Sequence, residues 1–399
     1  MSNTRPIWGY ALPSALLLMA PFDVLASLAM DIYLPVVPAM PDALHTTPSI
    51  IQLTLSLYMV VLGVGQIVFG PISDRIGRRP VLLAGAILFA AASAGAAVSS
   101  AALPFVGLRL VQAIGASAML VATFATVRDV YADRPDGTVI YGLFSSILAF
   151  VPALGPIAGA LLARTFGWRA IFLALAVLAT PAIVHAALRW PETRPTSPKA
   201  RKSVLPIFGS LAFWIYTLAF AAAMGTFFVF FSTAPRVLVG RAGYSELEFS
   251  VAFASVALVM VAVTRFARVF VGRWGVAGSA ARGMGLLLCG VALLVVGEVL
   301  EAPAFVGFIV PMWVMAIGIV LTVSVTANGA LGKFGDIAGS AVAFYFCTQS
   351  LIVGLLGTLA VTMLPADSAW PLIGYSAAMA ALVLIGLALL RTPSVANST

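Results

Sequence analysis

Charge is what this sequence has least of. Of 399 residues, 22 are Lys or Arg and 14 are Asp or Glu, so 9% of the chain is charged. An ordinary globular domain carries about 25%. A water-soluble chain of this length needs far more polar cover than that over its apolar interior. A soluble enzyme, a disordered chain and a nucleic-acid binder are excluded together. Histidine is nearly missing too: His45 falls in a predicted outer loop and His185 near a predicted inner helix end. Metal-ligand clusters, a nucleophile elbow and a phosphate-binding loop are all lacking. The sequence therefore predicts no enzyme, no metal, no cofactor and no primary pump. The two cysteines, Cys289 and Cys347, lie in separate apolar runs and read as packing residues rather than a disulfide framework.

What the chain has in quantity is apolar length. Hydrophobic residues make up 62% of it, and the mean hydropathy is +1.09. A spanning helix needs about 20 predominantly apolar residues. Twelve such runs are predicted, near 10–34, 49–71, 80–99, 101–123, 138–163, 168–189, 205–233, 248–271, 281–300, 304–328, 338–363 and 369–391. The first run reads as a span and not a cleavable signal, because no small-residue cleavage site follows a short apolar core. Internal prolines such as Pro21, Pro152 and Pro156 are compatible with lipid-embedded helices, where neighbours satisfy the freed backbone groups.

With the N-terminus inside, seventeen of the 22 bases fall on the inner side. The outer side receives only Arg164, Arg169, Arg236 and Arg241, and Arg109 lies within a span. By the positive-inside rule both termini face the cytoplasm. The same rule accounts for the net charge of +8 without nucleic acid. The longest inner connection, residues 190–204, divides the chain into predicted halves at 1–189 and 205–399.

Three stretches carry a more specific signal. Between spans two and three the chain reads Gly70-Pro71-Ile72-Ser73-Asp74-Arg75-Ile76-Gly77-Arg78-Arg79. Gly70 and Gly77 permit a tight turn and close helix approach. Asp74 can take an ion pair, and Arg78 and Arg79 are expected to anchor the loop among anionic lipids. In the second half the corresponding stretch, around Arg265, Arg268, Gly272, Arg273 and Gly275, lacks the Asp. In span five, Gly155-Pro156-Ile157-Ala158-Gly159-Ala160 should kink the helix and admit a close neighbour. At the end of span one stands Asp31-Ile32-Tyr33-Leu34-Pro35-Val36-Val37-Pro38.

The first stretch resembles the signature loop of the major facilitator superfamily, with Ala160 departing from the last Gly of the antiporter pattern that the second resembles. The third resembles the bicyclomycin/chloramphenicol resistance branch of the twelve-helix drug/proton antiporters. Residues 20–31, the Arg109 helix and residues 340–350 are similar to the florfenicol/chloramphenicol exporters of that branch. The resemblance implies an all-α membrane protein of the major facilitator fold, with twelve transmembrane helices in two six-helix halves. It implies a bacterial inner-membrane antiporter, functional as a monomer, that exports phenicol antibiotics by alternating access on the proton gradient. It makes Gly70, Asp74, Arg75, Gly77 and Arg78 a conformational latch and Gly155, Pro156 and Gly159 the antiporter motif.

Two ionisable residues sit deep in predicted spans, Asp23 and Arg109. Such charges are costly and usually mark a pathway or a proton relay. They lie ~15 Å and ~12 Å below the outer ends of their spans at 1.5 Å per residue, so a direct or water-bridged pair is expected. Both are candidates for proton coupling and drug binding. Ser27 and Met30 on span one and Gln112, one turn from Arg109, are further candidates for the drug site. Asp31, being shallow, is expected to serve the extracellular mouth. The second half has no deep charge but many rings, including Phe213, Trp214, Phe227, Trp313, Phe344, Tyr345 and Phe346; Phe227 and Tyr345 are its candidate drug contacts. The alternative is a uniporter or importer of a small neutral metabolite on the same fold, with Asp23 structural.

Overall fold

The computed structural model describes residues 8–131, 137–194, 205–334, 337–365 and 367–391. Most of the predicted 190–204 connection, from residue 195 on, lies outside them, as does Arg134.

The long helices follow the apolar runs. They are α1 (Leu12–Asp31), α2 (Pro48–Ile76), α3 (Arg78–Val98), α4 (Ala102–Tyr131), α5 (Gly137–Phe166) and α6 (Arg169–Arg189). After them come α7 (Leu211–Pro235), α8 (Glu246–Thr264), α9 (Ala267–Val299), α10 (Val310–Leu331), α11 (Ala338–Met363) and α12 (Trp370–Arg391). Among the described residues, eleven helical stretches are long and apolar enough to cross a membrane. The exception is α5, whose described apolar part is the shorter stretch Phe150–Phe166.

Several boundaries differ from the sequence reading, the fourth span for instance running on to Tyr131 rather than 123, and two of the differences have a local reason. The seventh span starts at Leu211 rather than 205, because Ser210 caps the helix by accepting from the Phe213 N–H at 3.3 Å. The eighth ends at Thr264, and the stretch read as a loop between spans eight and nine is instead helical from Ala267. Gly275, at φ 66°, breaks that helix within its length.

The chain divides into two compact units. One holds Met1–Ala200 with Glu246–Ala254, and the other Arg201–Ser245 with Ser255–Thr399. In the first, α3 packs on α4 and α6, and α1 packs on α4, α5 and α6. In the second, α9 packs on α10 and α12, and α7 packs on α10, α11 and α12. The pairings repeat at an offset of six helices although the sequence shows no strong repeat. The closest interface repeats as well. A Cβ on Gly85 of α3 would lie 2.9 Å from the Gly115 carbonyl of α4, and one on Gly283 of α9 would lie 2.7 Å from the Gly318 carbonyl of α10. Small residues let lipid-embedded helices approach until backbones touch, and each unit is built around such a contact.

Candidate functional site

The deep charges of the first unit are held apart. Asp23 is buried on α1, and its Oδ2 has no hydrogen-bond partner among the described residues. Arg109, buried on α4, makes no ion pair among the described residues. Its Nη1 donates to the Ala29 carbonyl at 3.0 Å and to Oε1 of Gln112. Ala29 stands six residues beyond Asp23, a rise of ~9 Å along the helix. Arg109 therefore reaches toward the end of α1, away from Asp23, and the expected direct pair is not formed.

What surrounds Arg109 instead is aromatic. Its guanidinium carbon lies 4.7 Å from the Tyr33 ring centre, 4.8 Å from that of Tyr58 and 5.8 Å from that of Phe172. Ring faces attract a cation, the more so where water is excluded. The rings are fixed in turn: the Tyr33 hydroxyl bonds Thr54 Oγ1, and the Tyr58 hydroxyl donates to the Ala26 carbonyl at 2.8 Å. Gln112 is fully buried and donates from Nε2 to Ser93 Oγ at 2.7 Å, and Ser93 donates on to the Phe89 carbonyl at 2.7 Å. Gln112 thus orients Arg109. At the other edge of the guanidinium, Nε and Nη2 are buried without a well-formed hydrogen bond among the described residues. Those two N–H groups point the same way and form the fork that takes two-oxygen acceptors.

The motifs at the ends of α1 and in α5 meet. A Cβ on Gly155 would lie 3.0 Å from Asp31 Cβ, and one on Gly159 would fall 1.7 Å from the Ile32 carbonyl oxygen. Asp31, the last residue of α1, is buried against this contact. Ser27 and Met30 are half-buried. In the second unit, Phe227 is half-buried, its ring 6.4 Å from Phe230. Tyr345 is fully buried between Phe220 and Phe346, each 5.2 Å away, and its hydroxyl donates to Thr326 Oγ1 at 2.9 Å.

The α2–α3 turn is a charge cluster closed within the first unit. Gly77 alone links the helices, at φ 111°. Arg78 is buried rather than set among lipids. Its Nε bonds Asp129 of α4 at 2.9 Å, and its Nη1 bonds Asp74 at 2.5 Å and Ser73 Oγ at 2.8 Å. Glu192 caps α3, accepting from the N–H of Arg78 at 2.8 Å and that of Arg79 at 3.2 Å. The Arg79 side chain donates to the Ala187 carbonyl at 2.6 Å, and Arg194 ties back to the Arg75 carbonyl at 2.5 Å. The space at Gly70 is open, so no close helix approach occurs there. Asp129 and Glu192 escaped the sequence reading. The one hint at Glu192 was its place beside Pro191, where the chain leaves α6.

Helix packing repeated at six helices, around buried intramembrane charges in one repeat, is the build of a secondary transporter. The chain belongs to the Major Facilitator Superfamily, whose family model matches residues 23–358. It is 49% identical over 387 residues to a chloramphenicol resistance protein of Pseudomonas aeruginosa, covering 96% of this chain and 92% of that one. It is 27% identical to multidrug resistance protein D of Escherichia coli K12, covering 88% and 89% of the two chains. The crystal structure of a D-xylose-proton symporter shares the fold, with a TM-score of 0.77 at 14% identity over 98% of this chain and all of that one.

Proposed function

We propose that the chain exports phenicol antibiotics, florfenicol and chloramphenicol among them, across the bacterial inner membrane in exchange for protons. Both termini are cytoplasmic, the transporter works as a monomer, and the proton gradient supplies the energy without a cofactor. The two six-helix halves, 1–189 and 205–399 joined by the 190–204 connection, alternate access.

One observation carries the reading. A chain nearly half identical to a chloramphenicol resistance protein holds an acid and a base inside the membrane, each unpaired by the other. A buried charge is expensive and is kept for a task. Asp23 is assigned the proton. Arg109 is assigned the drug, because chloramphenicol carries a nitro group and florfenicol a methylsulfonyl group on the ring. Each offers two oxygens on one atom, the pattern that the Nε–Nη2 edge accepts. Ser27 and Met30 complete the contacts of the first unit. In the second, Phe227 and Tyr345 are assigned as the aromatic contacts.

The test is drug binding to purified protein, with a phenicol analogue that lacks the para substituent. Wild type should bind chloramphenicol and florfenicol more tightly than the analogue, and Arg109→Lys should erase that difference. Equal binding of all three compounds to wild type would remove Arg109 from the drug site.

A further inference from the structure

The α2–α3 and α8–α9 corners stand six helices apart and solve the same problem differently. At the first, Arg78 is enclosed by Asp74 and Asp129, and Glu192 caps the next helix. At the second, Arg265, Arg273 and Arg282 are exposed, and none makes an ion pair among the described residues. The chain could not supply one locally, since no Asp or Glu occurs between Glu248 and Glu298. Asp336, in the next connection on the same side by span count, lies outside the described residues.

The surroundings of these arginines are those of a membrane interface. Phe270 and Trp274 stack at 5.2 Å with their planes 14° apart, and the Arg282 guanidinium sits 4.7 Å over the Trp274 ring. Phe266 is 58% exposed and Val269 is 66% exposed. Gly275 breaks the helix immediately after Trp274, which sets Ala267–Trp274 off as a short helix of interleaved basic and apolar residues. Aromatic rings of this kind settle at headgroup depth, and arginine favours phosphate oxygens through its planar fork.

We propose that the α8–α9 corner is a binding site for an anionic phospholipid. Arg265, Arg273 and Arg282 supply the charge that the headgroup phosphate answers, and Phe266 and Val269 lie along the first carbons of its acyl chains. The apolar pair distinguishes a lipid from free phosphate, which would leave both residues without a partner. The compensation that Asp74, Asp129 and Glu192 give the first half from within comes to the second half from the bilayer.

Native mass spectrometry of the full chain in detergent, titrated with phosphatidylglycerol, phosphatidylcholine or inorganic phosphate, tests this. Phosphatidylglycerol should be retained in preference to phosphatidylcholine, and inorganic phosphate should not displace it. Each arginine should contribute about fivefold, so the Arg265→Gln/Arg273→Gln/Arg282→Gln variant should bind on the order of 100-fold more weakly. The corresponding triple Lys variant should stay within several fold of wild type, and Arg164→Gln should change nothing. Retention of phosphatidylglycerol by the triple Gln variant would overturn the site. So would equal retention of phosphatidylcholine, or displacement of the lipid by inorganic phosphate.

Discussion

Replacing Asp129 by Asn should harm this protein more than replacing Asp74, although only Asp74 belongs to the recognisable motif. Both carboxylates bind the Arg78 side chain. They differ in solvent: the side chain of Arg78 is 2% exposed and that of Asp129 8%, whereas that of Asp74 is 60% exposed. An exposed ion pair contributes about 0–1 kcal/mol. Stranding one member of a buried pair costs roughly 3–5 kcal/mol, because the remaining charge keeps its desolvation penalty. Asp129→Asn leaves Arg78 only the solvent-screened Asp74, so its cost should approach the lower end of that range without reaching a fully stranded charge, and it should lower the thermal midpoint in detergent beyond Asp74→Asn. Arg78→Met/Asp129→Leu should recover much of that loss, since an apolar replacement of a buried pair is often neutral. Equal shifts for the two single variants, or a double variant worse than Asp129→Asn, would refute the reasoning.

Other expectations follow from the same contacts. Gly159→Ala should abolish resistance in cells and destabilise the purified protein, because its Cβ would lie 1.7 Å from the Ile32 carbonyl oxygen; Gly70→Ala, with open space around it, should be close to silent in the same assays. Gly77→Val combines a left-handed backbone with a Cβ 2.4 Å from Glu192 Oε2, so it should slow transport while leaving drug affinity within a few fold, as read by turnover and binding on one preparation. Gln112→Leu removes the group that orients Arg109 and should weaken drug binding while Ser93→Ala has a smaller effect. Because Asp23 and Arg109 make no direct contact, Asp23→Asn/Arg109→Gln should fold and fail to pump, with no rescue relative to Asp23→Asn.

The spans were legible because twenty apolar residues in a row have few other uses, and the α2–α3 turn was legible because its glycines and arginines sit close together in sequence. Its closure was not. Asp129 and Glu192 reach Arg78 across 51 and 114 residues of chain, separations at which no local pattern survives. The two deep charges show a subtler limit. Rise per residue placed Asp23 and Arg109 at similar depths, but depth leaves the direction of a side chain around the helix axis open. That direction sends Arg109 to Ala29, Tyr33 and Tyr58, which no count of apolar residues could have singled out. At Tyr345 the ring was legible, but its full burial and its hydrogen bond to Thr326 were not.

Proton-driven phenicol export is tested most directly in inside-out vesicles, by following labelled florfenicol or chloramphenicol uptake with and without an imposed pH gradient, acid inside. The account predicts that wild type accumulates drug against its concentration only while the gradient stands, that dissipating the gradient releases it, and that Asp23→Asn binds drug but never accumulates it. Uptake that ignores the gradient, or accumulation by Asp23→Asn equal to wild type, would contradict proton antiport through Asp23 and leave a uniporter of a small neutral compound as the better description.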